Sequence, residues 1–111
     1  MEIKAATHAL AALAQETRLA AYRLLVQAGQ AGLAAGEIAE RLSVPPATLS
    51  FHLKELSQAG LVANQTAGRF VIYRADFAAM HGLIDYLSEN CCGSGPAACA
   101  PISPQPCKEC A

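Results

Sequence analysis

The chain has 111 residues, of which 53% are hydrophobic but only 5% aromatic, and carries a formal net charge of −1 at pH 7. That length makes one domain with a single modest core, and its alanine-rich apolar content favours close-packed helices over a large enclosed pocket, which counts against an ordinary small-molecule enzyme. A run of about 18 uncharged apolar residues is lacking, as is the basic-then-apolar start of a secretory leader, so a cytoplasmic protein with no membrane partner is expected, its thiols reduced.

Residues 3–14 read as a first helix, with Leu10 and Leu13 among alanines. Thr17 is placed to cap a second helix, Arg18 to Ala28, in which Leu19, Tyr22, Leu25 and Val26 fall at helical spacing before Gly29 ends it. Gln30 to Leu33 read as a turn and Ala35 to Leu42 as a short helix with Ile38, Ala39 and Leu42 inward. Ser43-Val44-Pro45-Pro46 stops that helix and starts the next, because proline suits a first helical position whose N–H has no partner anyway. This next helix runs to about Ala59, and Gly60 closes it. Leu61 to Gln65 alternates as a strand, Thr66-Ala67-Gly68 turns, and Arg69 to Arg74 alternates again, which makes a hairpin. Asp76 is placed to cap a last helix, Phe77 to Asn90, striped by Met80, Leu83, Ile84 and Leu87. From Cys91 the composition turns to Gly, Pro, Ser and Cys, so residues 1–90 form the folded domain and residues 91–111 are expected to be a flexible tail.

Two short helices joined by a tight turn and followed by a hairpin make a winged helix-turn-helix: a mainly α fold with a β-hairpin wing. The second helix of the pair is expected to read the major groove. On its wheel Leu49, Leu53 and Leu56 point inward, whereas Ala47, Phe51, Lys54, Glu55 and Gln58 point out, flanked by Thr48 and Ser50, with His52 at the margin. Hydroxyls and a lysine near a helix start suit base and phosphate contact. Phe51 fits either a thymine methyl or a cover for neighbouring chain. At the hairpin tip Asn64, Gln65, Thr66 and Arg69 offer donors for phosphate or the minor groove. Between residues 41 and 75, Arg41, Lys54, Arg69 and Arg74 against Glu55 give +3, leaving −4 for the remainder of a chain of net −1. A basic centre between acidic ends is a weak footprint of a phosphate-binding face.

Residues 10–74 resemble the ArsR/SmtB family of metal-sensing repressors. The likeness is carried by Thr17-Arg18-Leu19, by Glu37-Ile38-Ala39-Glu40-Arg41-Leu42 and by Leu49-Ser50-Phe51-His52-Leu53. It continues through Leu56, Ala59-Gly60-Leu61-Val62, Gly68-Arg69 and Tyr73. The resemblance implies that Thr48, Ser50 and His52 contact double-stranded operator DNA and that Arg69 belongs to the wing. It also implies a symmetric homodimer pairing first and last helices, hence a palindromic operator with half-sites about one turn apart. The spare apolar residues Leu10, Leu13 and Met80 through Leu87 agree with such a dimer, although they could also pack within one protomer.

The sensing sites of that family differ by branch. Its arsenic site on the helix before the recognition helix needs a Cys-x-Cys, but Leu33-Ala34-Ala35-Gly36-Glu37 has no cysteine. Asp76, His81, Asp85 and Glu89 do not match the spacing of its zinc-type site on the last helix. Instead all five cysteines, Cys91, Cys92, Cys99, Cys107 and Cys110, lie in the last 21 residues, and an odd count in a reducing compartment argues against a disulfide framework. Soft thiolates select thiophilic ions, and three sulfurs suit pyramidal As(III) or Sb(III), whose lone pair takes the fourth direction. Resemblance to the branch with a C-terminal arsenite site implies Cys91, Cys92 and Cys99 as ligands; Cys107 stays open as the third, and Cys107-x-x-Cys110 reads as an accessory. The expectation is an arsenite- or antimonite-responsive repressor. Zn²⁺ or Cd²⁺ on four thiolates, a thiol redox switch and a metal-buffering protein are the alternatives. An arsenate reductase or thiol oxidoreductase would need an anion-binding loop beside its nucleophile, and none is evident in the sequence.

Overall fold

The computed structural model describes residues 1–91. Its elements are α1 (Ile3–Leu13), α2 (Glu16–Ala28), a 3-10 turn (Gly29–Ala31), β1 (Leu33–Ala34), α3 (Ala35–Leu42), α4 (Pro46–Gln58), β2 (Val62–Ala67), β3 (Phe70–Ala75) and α5 (Phe77–Ser88). The three strands form one antiparallel sheet in the order β1-β3-β2.

Helix α1 meets the body through Ala6, Ala9 and Ala12, all buried, while Leu10 is exposed and Leu13 only partly buried. Methyl-sized contacts let the α1 backbone lie close, at the cost of leaving the larger side chains outside. Helix α2 starts earlier than the Thr17 signal suggests. The Gln15 side chain accepts the Arg18 N–H at 2.9 Å and caps the helix, with Glu16 favourably placed in its first turn. Thr17 is therefore inside the helix.

The α3–α4 junction follows from local chemistry. Ser43 adopts the left-handed conformation (φ 54°), and the Ser43 and Val44 N–H groups close α3 onto the Glu40 and Ala39 carbonyls. Pro46 then opens α4 with its fixed φ. Leu25 of α2, Ile38 of α3, Leu49, Leu53 and Leu56 of α4, and Leu61 are fully buried together, so the inner face of α4 is fixed by the core. Burial of each such side chain contributes about 1.5–3 kcal/mol.

The stretch expected to be a turn over Gln30–Leu33 contains a 3-10 turn followed by β1. Leu33 pairs with Tyr73 and Ala34 with Ile72, making a third strand at the wing's base. Gly32 permits this approach: its φ is +70°, and a Cβ there would collide with the Tyr73 carbonyl oxygen. The wing lies one residue later than the sequence expectation, and the end of its first strand two residues later. Strand β2 extends to Ala67, which pairs with Phe70, and the turn is Gly68-Arg69. Gly68 (φ +63°) alone there has a positive φ, the pattern of a type II′ hairpin. Arg69 thus sits in the turn rather than in a strand.

Asp76 caps α5 as expected, accepting the Ala79 N–H at 3.0 Å, and its own N–H donates to the Leu61 carbonyl. Only Leu83 of α5 is fully sunk; Phe77, Met80 and Tyr86 are partly buried, and the helix ends at Ser88.

Tyr22 is buried with no hydrogen-bond partner for its hydroxyl. Burial, and secondarily the Asp76 carboxylate, raise its pKa above 10.0. Because the folded value exceeds the unfolded one, the fold is favoured fully below about pH 10 and loses that contribution as pH climbs through the folded pKa. Tyr22→Phe is expected to stabilise the protein by about 1 kcal/mol at pH 7 by removing the unpaired hydroxyl. It is also expected to flatten the alkaline decline. Urea unfolding at pH 7 and pH 10.5 measures both.

Candidate nucleic-acid interface

With Leu49, Leu53 and Leu56 inward, α4 turns Ala47, Phe51, Lys54 and Gln58 outward in one exposed line, and Thr48 and Ser50 stand exposed beside its first turn. Phe51 is 56% exposed, so its ring projects as an apolar body among donors. Gln58 lies about 15 Å of helix rise beyond Thr48, too far along for one helix end to place both on neighbouring base edges. Thr48, Ser50 and Phe51 are therefore the side chains suited to the groove floor, and Lys54 and Gln58 those suited to the flanking backbone.

Glu55 departs from the wheel, whereas His52 keeps its marginal place. Glu55 is half-buried and lines a cleft of about 250 Å³ with His8, Ala11, Ala12 and Arg18, which draws the helix's one acid away from the outward line and toward α1. His52 is also half-buried. Its Nδ1 lies 3.3 Å from Arg18 Nη1, while Arg18 Nε donates to the Ala12 carbonyl at 2.6 Å. The Phe51 and His52 rings meet edge to face at 5.6 Å.

The wing presents Asn64, Gln65, Thr66 and Arg69 to solvent. Arg74 reaches across the strands to donate to Gln65 Oε1 at 2.9 Å. Phe70, 64% exposed beside Arg69, is a tip residue that alternation did not single out; its pairing with a two-residue turn was the only signal available. Arg41 forms the only ion pair among the described residues, with Glu37 at 3.0 Å on one turn of α3. That exposed pair adds little stability, but it compensates the Arg41 charge. The basic footprint therefore narrows to Lys54 and Arg69, with Arg74 behind them.

A second surface lies where α1 and α5 pack together, Met1 beside Gly82. On α1, Ile3 and Leu10 share a face seven residues apart; on α5, Ile84 and Leu87 share one three apart, and all four are exposed. Cys91 lies three residues beyond the end of α5, half-buried and disulfide-bonded, so three free thiolates in this segment require a reduced chain. The other candidate ligands Cys92, Cys99, Cys107 and Cys110 lie outside the described residues. Among the described residues no three or more His, Cys, Asp or Glu side chains converge on a possible metal position, and no helix is long and apolar enough to cross a membrane.

Comparison with known proteins gives the same architecture. A helix-turn-helix domain family matches residues 13–65. An uncharacterized HTH-type transcriptional regulator of Bacillus subtilis, YceK, is 39% identical over 67 residues, and the match spans 59% of this chain and 66%, just under two thirds, of that regulator. An ArsR-like transcriptional regulator from Rhodococcus sp. RHA1 superposes with a TM-score of 0.67 at 32% identity, over 77% of both chains. The homodimeric winged helix-turn-helix DNA-binding domain of a possible ArsR-family regulator from Mycobacterium bovis gives 0.63 at 26% identity, over 79% of this chain and 82% of that one. A structure described as a possible transcriptional regulator for arsenical resistance gives 0.59 at 29% identity, over 71% and 82%. With the helix pair, the wing and this likeness in sequence and structure together, the protein belongs to the ArsR family of winged helix-turn-helix DNA-binding transcriptional regulators.

Proposed function

We propose that the protein is an operator-binding repressor that acts as a homodimer and releases DNA when As(III) or Sb(III) binds its C-terminal cysteines. The observation that carries this reading is the division of labour along the chain. The body contains no cysteine and presents α4, whereas all five cysteines fall in the last 21 residues, beginning three residues beyond the end of α5. The exposed apolar residues of α1 and α5 suit a two-fold contact, and the similar Mycobacterium bovis domain is homodimeric. A two-fold dimer asks for a palindromic operator, with Thr48, Ser50 and Phe51 over bases and Lys54, Gln58 and Arg69 over phosphates.

The donor set fits the inducer. Each thiol that binds As(OH)₃ replaces one hydroxyl, forming an As–S bond and releasing water, so three cysteines complete the pyramidal ion. Cys91, Cys92 and Cys99 supply that set, with Cys107 and Cys110 accessory. Likeness to the regulator described for arsenical resistance supports the same inducer class. Thiols remain available in the cytosol, where this reading places the protein. The Cys91 disulfide favours a second reading, in which oxidation of the same thiols is the signal.

Fluorescence anisotropy with a labelled palindrome from beside its own gene tests the proposal. The reduced protein should bind tightly and release on arsenite addition. Absence of operator binding refutes the repressor. Binding that ignores arsenite but responds to Zn²⁺, Cd²⁺ or oxidant replaces the inducer and keeps the repressor.

A further inference from the structure

We infer that Arg18 is a positioning residue: from α2 it fixes the tautomer of His52 on α4, so that the recognition helix offers a neutral Nε2–H donor to a DNA phosphate oxygen. The inference rests on the DNA-binding reading above for its ligand, but not for its geometry. Arg18 holds two contacts at once. Its Nε donates to the Ala12 carbonyl near the end of α1 at 2.6 Å, and its Nη1 lies 3.3 Å from His52 Nδ1. Gln15 further anchors the Arg18 backbone through the α2 cap. A guanidinium has donors only and stays charged, so the ring atom facing it must accept. Nδ1 therefore carries the lone pair, and in a neutral imidazole the proton belongs to Nε2.

The remaining donor is placed for the backbone rather than for a base. His52 is one residue from Phe51, about 100° around the helix from the outward line. That direction faces the wall of a groove in which Thr48, Ser50 and Phe51 face the floor. The half-buried ring, edge-on to Phe51, has few alternative orientations. Arg18 also ties the end of α1, a helix of the apolar surface, to the helix that meets DNA. A lysine could not replace it, since one ammonium cannot span the Ala12 carbonyl and the imidazole in the same fixed fork.

Side-chain ¹⁵N NMR of the free, reduced protein at pH 7.5 tests the tautomer without DNA. The expected spectrum has His52 Nδ1 unprotonated and Nε2 protonated in wild type, and mixed tautomers in Arg18→Lys. A protonated Nδ1 in wild type overturns the inference. Operator affinity then tests the donor. Glutamine places an N–H where Nε2 stands, so His52→Gln should stay within about threefold of wild type, whereas His52→Asn should lose about tenfold per half-site, the scale of one hydrogen bond to a charged group, and about 100-fold for the dimer on its palindrome. Because a neutral donor displaces no counterion, the salt slope of His52→Asn should match wild type; a slope smaller by about two, one for each protomer, would mean a cationic contact and overturn the inference. Arg18→Lys alone should weaken binding about twofold per half-site and about fourfold for the dimer, because about half of the rings then hold the competent tautomer, and should add little in the His52→Gln background, where no tautomer needs fixing. An undiminished Arg18→Lys cost in that background assigns Arg18 a direct or purely structural role and refutes the proposal. Should Arg18→Lys fail to fold, the wild-type spectrum and the Gln and Asn pair decide alone.

Discussion

Arsenite is expected to lower the operator affinity of the reduced dimer by about 100-fold, and Cys91→Ser, Cys92→Ser or Cys99→Ser should each abolish that release while leaving arsenite-free binding unchanged. The size follows from linkage: a 100-fold loss corresponds to about 3 kcal/mol of coupling, and operator DNA must weaken As(III) binding by the same factor. Both halves of that cycle are measurable, by anisotropy with arsenite and by titration of arsenite with and without DNA. Reduction should use a phosphine, because a dithiol would itself bind arsenite. Serine keeps the size of cysteine but not its soft donor, so two sulfurs remain and the third bond is lost. The helix expected to move is lightly seated: α5 sinks only Leu83 fully, with Phe77, Met80 and Tyr86 partly covered. Such an element shifts at lower cost than one locked by several buried leucines, as α4 is. Cys107→Ser and Cys110→Ser should leave release intact. Full release by a variant with all five cysteines changed to serine would remove the tail from the mechanism.

The parts of this arrangement legible in the sequence are those fixed by local chemistry. The leucine spacing 49-53-56, the proline at the start of α4 and the aspartate before α5 name their elements because periodicity and capping act over a few residues. Strand β1 escapes such reasoning, since two residues carry no period and its partner Tyr73 is forty residues away. The α2 cap was misplaced because Gln15 does with a longer side chain what Thr17 offers with a shorter one. For the site, the outward line of α4 was legible, but the inward turn of Glu55 and the Arg18–His52 contact were not. Both depend on where α1 and α2 pass, and no helical wheel contains a neighbouring helix. Likewise the compensation of Arg41 depends on Glu37, just outside the window that made the centre appear basic.

Ile84→Glu or Leu87→Glu is expected to convert the dimer to monomer and to reduce affinity for the full palindrome by at least about 100-fold. Ile84 is 52% and Leu87 59% exposed in the protomer, so about half of each side chain is left uncovered by the core it borders. Burial of the uncovered half between two copies would contribute about half of the 1.5–3 kcal/mol of a fully buried side chain, for each residue. A two-fold interface repeats every substitution, and each new carboxylate would be desolvated against its symmetry mate's apolar surface. Loss of two side-chain contributions is therefore about 1.5–3 kcal/mol per dimer, a ten- to 100-fold rise in the dimer dissociation constant, and desolvation of the two carboxylates adds to it. Sedimentation velocity reads the oligomeric state, and anisotropy on full and half operators reads the consequence: full-site binding should fall toward the half-site value. The protomer fold should persist, because both positions already face solvent. Leu19→Glu is the matched control, an equally large exposed apolar residue carried by α2 rather than by α1 or α5, and it should leave the dimer intact. If Ile84→Glu remains dimeric while substitution of Phe70 dissociates it, the copies meet through the wing, and the coupling of tail to reading head must run through a different helix.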